Sequence, residues 1–181
     1  MSQGARMDSP YVSTFLGHRF FLTSPHIDDV AIEDIAHGLA YQCRFNGQTR
    51  EFYSVAQHSL MVMQLVPVPL RLAALLHDAA EAYLGDMVKP LKNLFPEFSA
   101  IESRVMQIIG QRFAVDLDHP DPAIKAADLI ALATEKRDLM PHSTEAWANL
   151  RDIRPLPESI RPLSPPAAKA AFLDSFHQLR G

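Results

Sequence analysis

Apolar residues recur at every third or fourth position along most of the chain, the spacing that lays one stripe along a helix. In VAIEDIAHGLAYQC, Ile32, Ile35, Ala36 and Leu39 predict a first helix with one buried face. Asn46-Gly47 then signals a turn, leaving Arg44 and Phe45 near a helix end with Arg50 close behind. A second helix opens at Ser54, where Gln57 three residues on completes a capping box. Its Val55, Leu60, Val62, Met63 and Leu65 predict burial, and Pro67 with Pro69 end it. A third helix is predicted from about Leu70 to Leu84, with Leu72, Leu75, Leu76, Ala79 and Tyr83 as its apolar stripe and Gly85 at its C-terminal stop. The following DMVKPLKNLFP reads as a loop or short turn carrying Asp86, Lys89 and Lys92.

Beyond it, Ser99 and Glu102 form a second capping box before the stripe Ile101, Val105, Ile108, Ile109 and Phe113. Asp121-Pro122 supplies an N-cap and first-turn proline to a helix whose Ile124, Ala127, Asp128 and Ala131 share the inward face. From residue 141 to 166 the chain is proline-rich, which predicts irregular structure with a short helix near Trp147. Ser164-Pro165 then opens a last helix with Ala168, Phe172, Phe176 and Leu179 inward. At the other end, residues 1–12 read as a loose tail and Thr14 to Ser24 as a short hairpin or extended arm. With no internal repeat or low-complexity segment, the pattern predicts an all-α bundle of about six helices in a single domain, 1–181.

Composition narrows the function classes. The length of 181 residues suits one sizeable core, and the net charge of -4 argues against a broad nucleic-acid-binding face, which needs clustered Lys and Arg. A small phosphorylated ligand needs only a few local cations and stays compatible. The single Cys43 excludes an internal disulfide and a cysteine zinc cage, and is read as a small buried hydrophobe. No apolar run approaches the roughly 18 residues of a membrane span, and the N-terminal residues lack the apolar core of a signal peptide. A cytoplasmic protein with no membrane contact is expected.

The candidate chemistry lies between Phe52 and Lys92. His58, His77, Asp78 and Glu81 fall inside segments that otherwise read as core helices, where Arg71 is the one outward-facing charge of the third helix. Burying a carboxylate costs several kcal/mol unless it is paired, hydrogen-bonded or bound to a cation. On a continuous helix, His77 and Glu81 four apart and Asp78 and Glu81 three apart share one face. Imidazoles with carboxylates suit Zn, Mn, Fe, Co or Mg rather than a soft, thiolate-held metal.

A His on one helix, a His-Asp doublet on the next and a lone Asp on a later helix resembles the HD-domain metal-dependent phosphohydrolases. The resemblance implies one divalent metal ion held by His58, His77, Asp78 and, in AIKAADLIALATE, Asp128. Glu81, one turn from these ligands, is the candidate to orient the attacking water or shuttle its proton; burial raises the pKa of such a carboxyl, and a cation works in the opposite direction. In the bacterial 5'-deoxynucleotidases of this family, GDMVKPLK has a close parallel, which implies leaving-oxygen protonation by Asp86 and phosphate contact by Lys92, with Lys89 a lesser candidate. Arg44-Phe45 resembles an Arg-Trp pair of that group that contacts phosphate or sugar, with Phe standing where that pair has Trp.

IEDIAHGLAYQCRFNGQTREFYSVAQHS and LLHDAAEAYLGD further resemble the small phage and bacterial HD phosphohydrolases that include dATP triphosphohydrolases, a likeness covering Phe20 to Leu139. The implied activity is hydrolysis of a deoxynucleotide, either a dNTP (dATP favoured) to deoxynucleoside and triphosphate or a dNMP to deoxynucleoside and phosphate. The implied partner is a small-molecule nucleotide, and the assembly a homo-oligomer. Guanosine alarmone hydrolysis is a rival, but those enzymes carry Glu-Asp after the doublet and here Glu81 precedes Ala82. A non-catalytic HD module is another, although such modules typically lose ligands that this chain keeps. His18, His26, His37, His119, His142 and His177 have no partner pattern and are read as structural or surface residues, and Lys136 with Arg137 as a solvated face.

Overall fold

The computed structural model describes residues 9–142 and 146–181; residues 1–8 of the expected tail and 143–145 of the proline-rich stretch lie outside the described residues. Strands β1 (Tyr11–Ser13) and β2 (Arg19–Phe21) are followed by helices α1 (Ile32–Tyr41), α2 (Val55–Leu65), α3 (Arg71–Leu75), α4 (Glu81–Leu84), α5 (Lys89–Lys92), α6 (Pro96–Phe113), α7 (Pro122–Asp138) and α8 (Pro165–Arg180). Among the described residues the only sheet is the two-stranded hairpin, so the all-α class stands. The hairpin pairs Tyr11 with Phe21, Val12 with Phe20 and Ser13 with Arg19. It therefore begins inside the stretch expected to be a loose tail, because buried Phe20 stacks on Tyr83 at 3.8 Å between ring centroids and anchors the arm to the bundle.

The long helices follow the apolar stripes. Ile35, Ala36 and Leu39 of α1, Val55 and Val62 of α2, Ile109 of α6, Ala131 of α7 and Phe172 of α8 are completely buried. Helix α1 packs on α8 and α4, and α2 on α3, α7 and α8, so α2 lies at the centre. Its start is as predicted on one side only. Ser54 Oγ accepts from Gln57 N–H at 3.2 Å. The Gln57 side chain, however, turns to a distant segment before the last helix, donating to Arg161 O at 2.8 Å and accepting from Leu163 N–H at 2.7 Å. The second capping box does not form: α6 starts at Pro96, four residues early, and Glu102 accepts from Lys92 Nζ at 2.6 Å.

The predicted third helix is broken. It becomes α3 and α4 separated by a turn over residues 76–80, in which N–H groups reach three residues back, Ala79 to Leu76 O at 3.0 Å and Glu81 to Asp78 O at 3.0 Å. A local cause is visible. The ring of His77 donates from Nδ1 to Ala74 O at 2.7 Å, taking the carbonyl that a regular helix offers to the N–H of Asp78. Leu75, Leu76 and Ala79 remain fully buried, so the apolar stripe survives the break. Gly85 ends α4 at φ +92 and ψ 148, outside the left-handed helical region but still at a positive φ that favours glycine. The segment expected to be a loop contains α5, started by Pro90 in its first turn.

Among its described residues, the proline-rich stretch up to the start of α8 is irregular apart from a single 3₁₀ turn at Ala148–Leu150. Residues expected to form a solvated face hold it in place. Arg137 donates to Leu156 O and, at 2.8 Å, to Glu158 O, while Lys136 Nζ sits 4.8 Å from the Trp147 ring centre. Cys43 is half-buried rather than buried, in an isolated bridge to Ser54. No helix among the described residues is long and apolar enough to cross a membrane.

At Gly38 of α1 the backbone of α4 comes too close for a side chain: a Cβ would lie 2.8 Å from Ala82 O and 2.9 Å from Ala82 Cα. Backbone cannot move aside as a side-chain tip can. Gly38→Ala is expected to destabilise the fold by about 1–3 kcal/mol through overpacking, measured by urea unfolding; an unchanged midpoint contradicts this account of the α1–α4 contact.

Candidate metal centre

Three segments bring the predicted ligands together. His58 lies one turn into α2 and is completely buried; His77 and Asp78 come from the turn after α3; Asp128 lies in the second turn of α7, whose start is fixed by Asp121 Oδ1 accepting from Ala123 N–H at 2.8 Å. One potential donor atom each from His58, His77 and Asp128 lies within 4.8 Å of the other two. Asp78 borders this group of three without being one of it: its Oδ2 is 3.2 Å from His77 Nε2 and 3.5 Å from His58 Nε2, while Asp128 Oδ1 is 3.4 Å from His58 Nε2. Ligands about 2.1 Å from one ion stand about 3–4 Å apart, so these separations fit a shared cation.

The hydrogen bonds behind the ligands fit it too. His77 Nδ1 is spent on Ala74 O at 2.7 Å, and His58 Nδ1 lies 2.7 Å from Glu135 Oε1. Neither partner carries a proton to give, so each ring must donate from Nδ1, and once the ring is neutral, as a metal ligand must be, its lone pair is at Nε2. Both Nε2 atoms are buried without a hydrogen-bond partner, as is Glu81 Oε2. Two neutral nitrogens and two carboxylates form a donor set for Zn, Mn, Fe, Co or Mg.

Charges around the site are tightly coupled. Burial and Arg44 disfavour a His58 imidazolium, but Glu135 and Asp128 outweigh both and lift the ring to about 9. Burial likewise opposes ionisation of Asp78 and Asp128, yet the two histidines hold both carboxylates well below their ordinary range. Glu81, buried at the start of α4, moves the other way: burial, then Asp78 and Asp86, push it well above the usual range. Asp86, just past α4, is raised by burial and by Asp78 against the opposing Arg44, His58 and Lys92.

The remaining predicted residues are spread around this centre. Arg44 is buried, donating from Nε and Nη2 to Glu135 Oε2 at 3.2 and 3.1 Å, with Nη1 3.8 Å from Asp78. Phe45, in the left-handed region at φ 55, sits beside the Arg44 guanidinium and 6.1 Å from the Trp147 ring centre. Lys92 lines a cavity of about 340 Å³ with His77, Asp78 and Glu81 at one end and Ser103, Met106 and Leu117 along the wall. A neighbouring cavity of about 200 Å³ reaches Asp128, Lys125 and Ile124. Lys89 is exposed and lines neither cavity.

Glu135 was not anticipated. It is completely buried and touches both His58 and Arg44. Its signal was available: it stands seven residues after Asp128 on α7, two turns along the same face, in a run of apolar positions.

The class defined by this fold and site is an all-helical protein with a His-His-Asp cluster compatible with an HD-type metal centre. No protein-family model matches the chain. It is 39% identical over 171 residues to the uncharacterized protein YfdR of Escherichia coli (strain K12), covering 93% of this chain and 95% of that one. It is also 39% identical over 181 residues to the uncharacterized protein RCAP_rcc00048 of Rhodobacter capsulatus, covering 90% and 92%. The chain belongs to the family of these two proteins.

A cation that binds only the folded form at 100 times its Kd adds about 2.7 kcal/mol of stability. Zinc or manganese in that excess is expected to raise the melting temperature of the wild type in calorimetry, and His77→Ala to abolish the rise. An equal rise in both proteins would place the cation elsewhere.

Proposed function

We propose that this chain is an HD-type metal-dependent phosphohydrolase acting on deoxynucleotides. The observation that carries the reading is the pair of buried, unpartnered Nε2 atoms of His58 and His77, close to Asp78 and Asp128, with His77 and Asp78 lining a cavity. These four residues would hold one divalent cation. Such a cation supplies a water of lowered pKa, from 15.7 toward roughly 7, and neutralises phosphate charge.

The chain's own groups divide the remaining work. Glu81 Oε2, buried and without a partner, orients the attacking water and takes its proton. Asp86, with its pKa raised, carries a proton to the leaving oxygen. Lys92 Nζ, steadied by Glu102 at 2.6 Å, contacts a phosphate oxygen from the cavity wall. Between the two substrate branches, charge favours the monophosphate. Asp78, Glu81, Glu102, Asp116, Asp118 and Asp128 line the two cavities, against two lysines, Lys92 and Lys125, each already paired at 2.6 Å. Exposed Phe15, Tyr41 and Phe95 are compatible with a homo-oligomer, and a cytoplasmic location belongs to the same proposal.

The reading is tested by incubating purified protein with dAMP, dATP and their ribo-forms in Mn, Co or Mg and resolving the products. Release of phosphate or triphosphate from a deoxynucleotide is expected, with Glu81→Gln lowering kcat by about 10²–10⁴-fold. No turnover of any nucleotide with any metal defeats it. Products from a guanosine alarmone alone would transfer the site to that rival class, and wild-type biological activity in His77→Ala would favour a non-catalytic module.

A further inference from the structure

Glu135 and Arg44 have no assigned part in the chemistry above, yet together they form a deeply buried ion pair touching the site. Glu135 has no exposed surface, and only a tenth of the Arg44 side chain is exposed. Glu135 Oε2 accepts twice from the guanidinium, and Oε1 lies 2.7 Å from His58 Nδ1. A guanidinium can only donate, and an ionised carboxylate can only accept. Oε2 is committed to Arg44, so Oε1 faces the ring as an acceptor and the ring donates from Nδ1. The lone pair is thereby turned to Nε2, where Asp78 and Asp128 converge.

We infer that Arg44 and Glu135 act as a buried positioning pair that selects the tautomer of His58 and so sets the cation affinity of the site. This inference rests on the metal-site reading above. It places Arg44 behind the ligands, holding Glu135 on one side and standing 3.8 Å from Asp78 on the other, rather than among the groups that meet phosphate. Outer hydrogen bonds of this kind change metal affinity by about 10–100-fold when removed.

The charge-neutral Glu135→Gln keeps the size of the side chain and gives a sign that packing alone does not. Arg44 still demands an acceptor, so the amide oxygen faces the guanidinium and the NH₂ faces His58. The ring then accepts at Nδ1 and carries its proton on Nε2, the coordinating atom. Zinc affinity, read by competition with a chromophoric chelator, is expected to fall about 10–100-fold. Adding Arg44→Met to that variant removes the demand, lets the amide rotate its oxygen to His58, and is expected to recover most of the loss. A purely structural role predicts the opposite, with the double variant the weakest binder.

If Glu135→Gln binds zinc as the wild type does, or the double variant binds no better than the single one, the inference is wrong while the metal site stands. If the wild type takes up no zinc, the metal-site reading falls and the inference with it. Should the variants fail to fold, ¹⁵N–¹H NMR of the zinc-loaded wild type decides: a proton on His58 Nδ1 is expected, and a proton on Nε2 overturns the assignment.

Discussion

A carboxylate sealed away from water must be answered by other groups, and Glu135 is answered twice. His58 from α2 and Arg44 from the turn after α1 both close on it from α7. Removing one partner from such a buried pair costs about 3–5 kcal/mol because the other charge is left uncompensated. Burial alone would raise the pKa of Glu135; Arg44 and His58 together bring it below the usual range. Three separate segments are thus held in register by one ionised side chain, and the position of His58 follows from that register.

The break after α3 has a related logic. Neighbouring residues on a regular helix point about 100° apart, so an uninterrupted helix cannot aim two consecutive side chains at one point. The turn over residues 76–80 brings His77 Nε2 and Asp78 Oδ2 within 3.2 Å of each other, and its tightened bonds still keep Leu75, Leu76 and Ala79 in the core. Gly38 against Ala82 then seats α4 close under α1 and holds Glu81 beside the doublet. The local departure from helical geometry and the convergence of the ligands are one event.

Much of this was legible in the order of residues. The stripes of α1, α2, α6, α7 and α8 are readable because each is buried on one side, which leaves a period in the sequence. His58, His77, Asp78 and Asp128 are readable because spacing and residue type coincide with a known arrangement. What escaped depends on contacts between distant segments. Gln57 and Glu102 sit at capping-box positions but find better partners in the backbone at Arg161 and Leu163 and in Lys92, and no local rule ranks those choices. Glu135 gains its meaning only when α2 and the Arg44 turn are laid against it, and Tyr11 looked like tail until Phe20 found Tyr83.

The strap from Ile153 to Leu163 has no helix or strand of its own, and side chains take the place of ladder partners. Thr134 Oγ1 accepts from Leu156 N–H at 2.9 Å, Asp138 Oδ2 from Ile160 N–H at 2.8 Å, and Gln57 binds both Arg161 and Leu163. Those clamps come from two different helices, α2 and α7, so they exist as a set only after the two have docked. The strap's length is fixed by the distance between its fasteners: one inserted residue between Leu156 and Ile160 would put one end or the other out of reach.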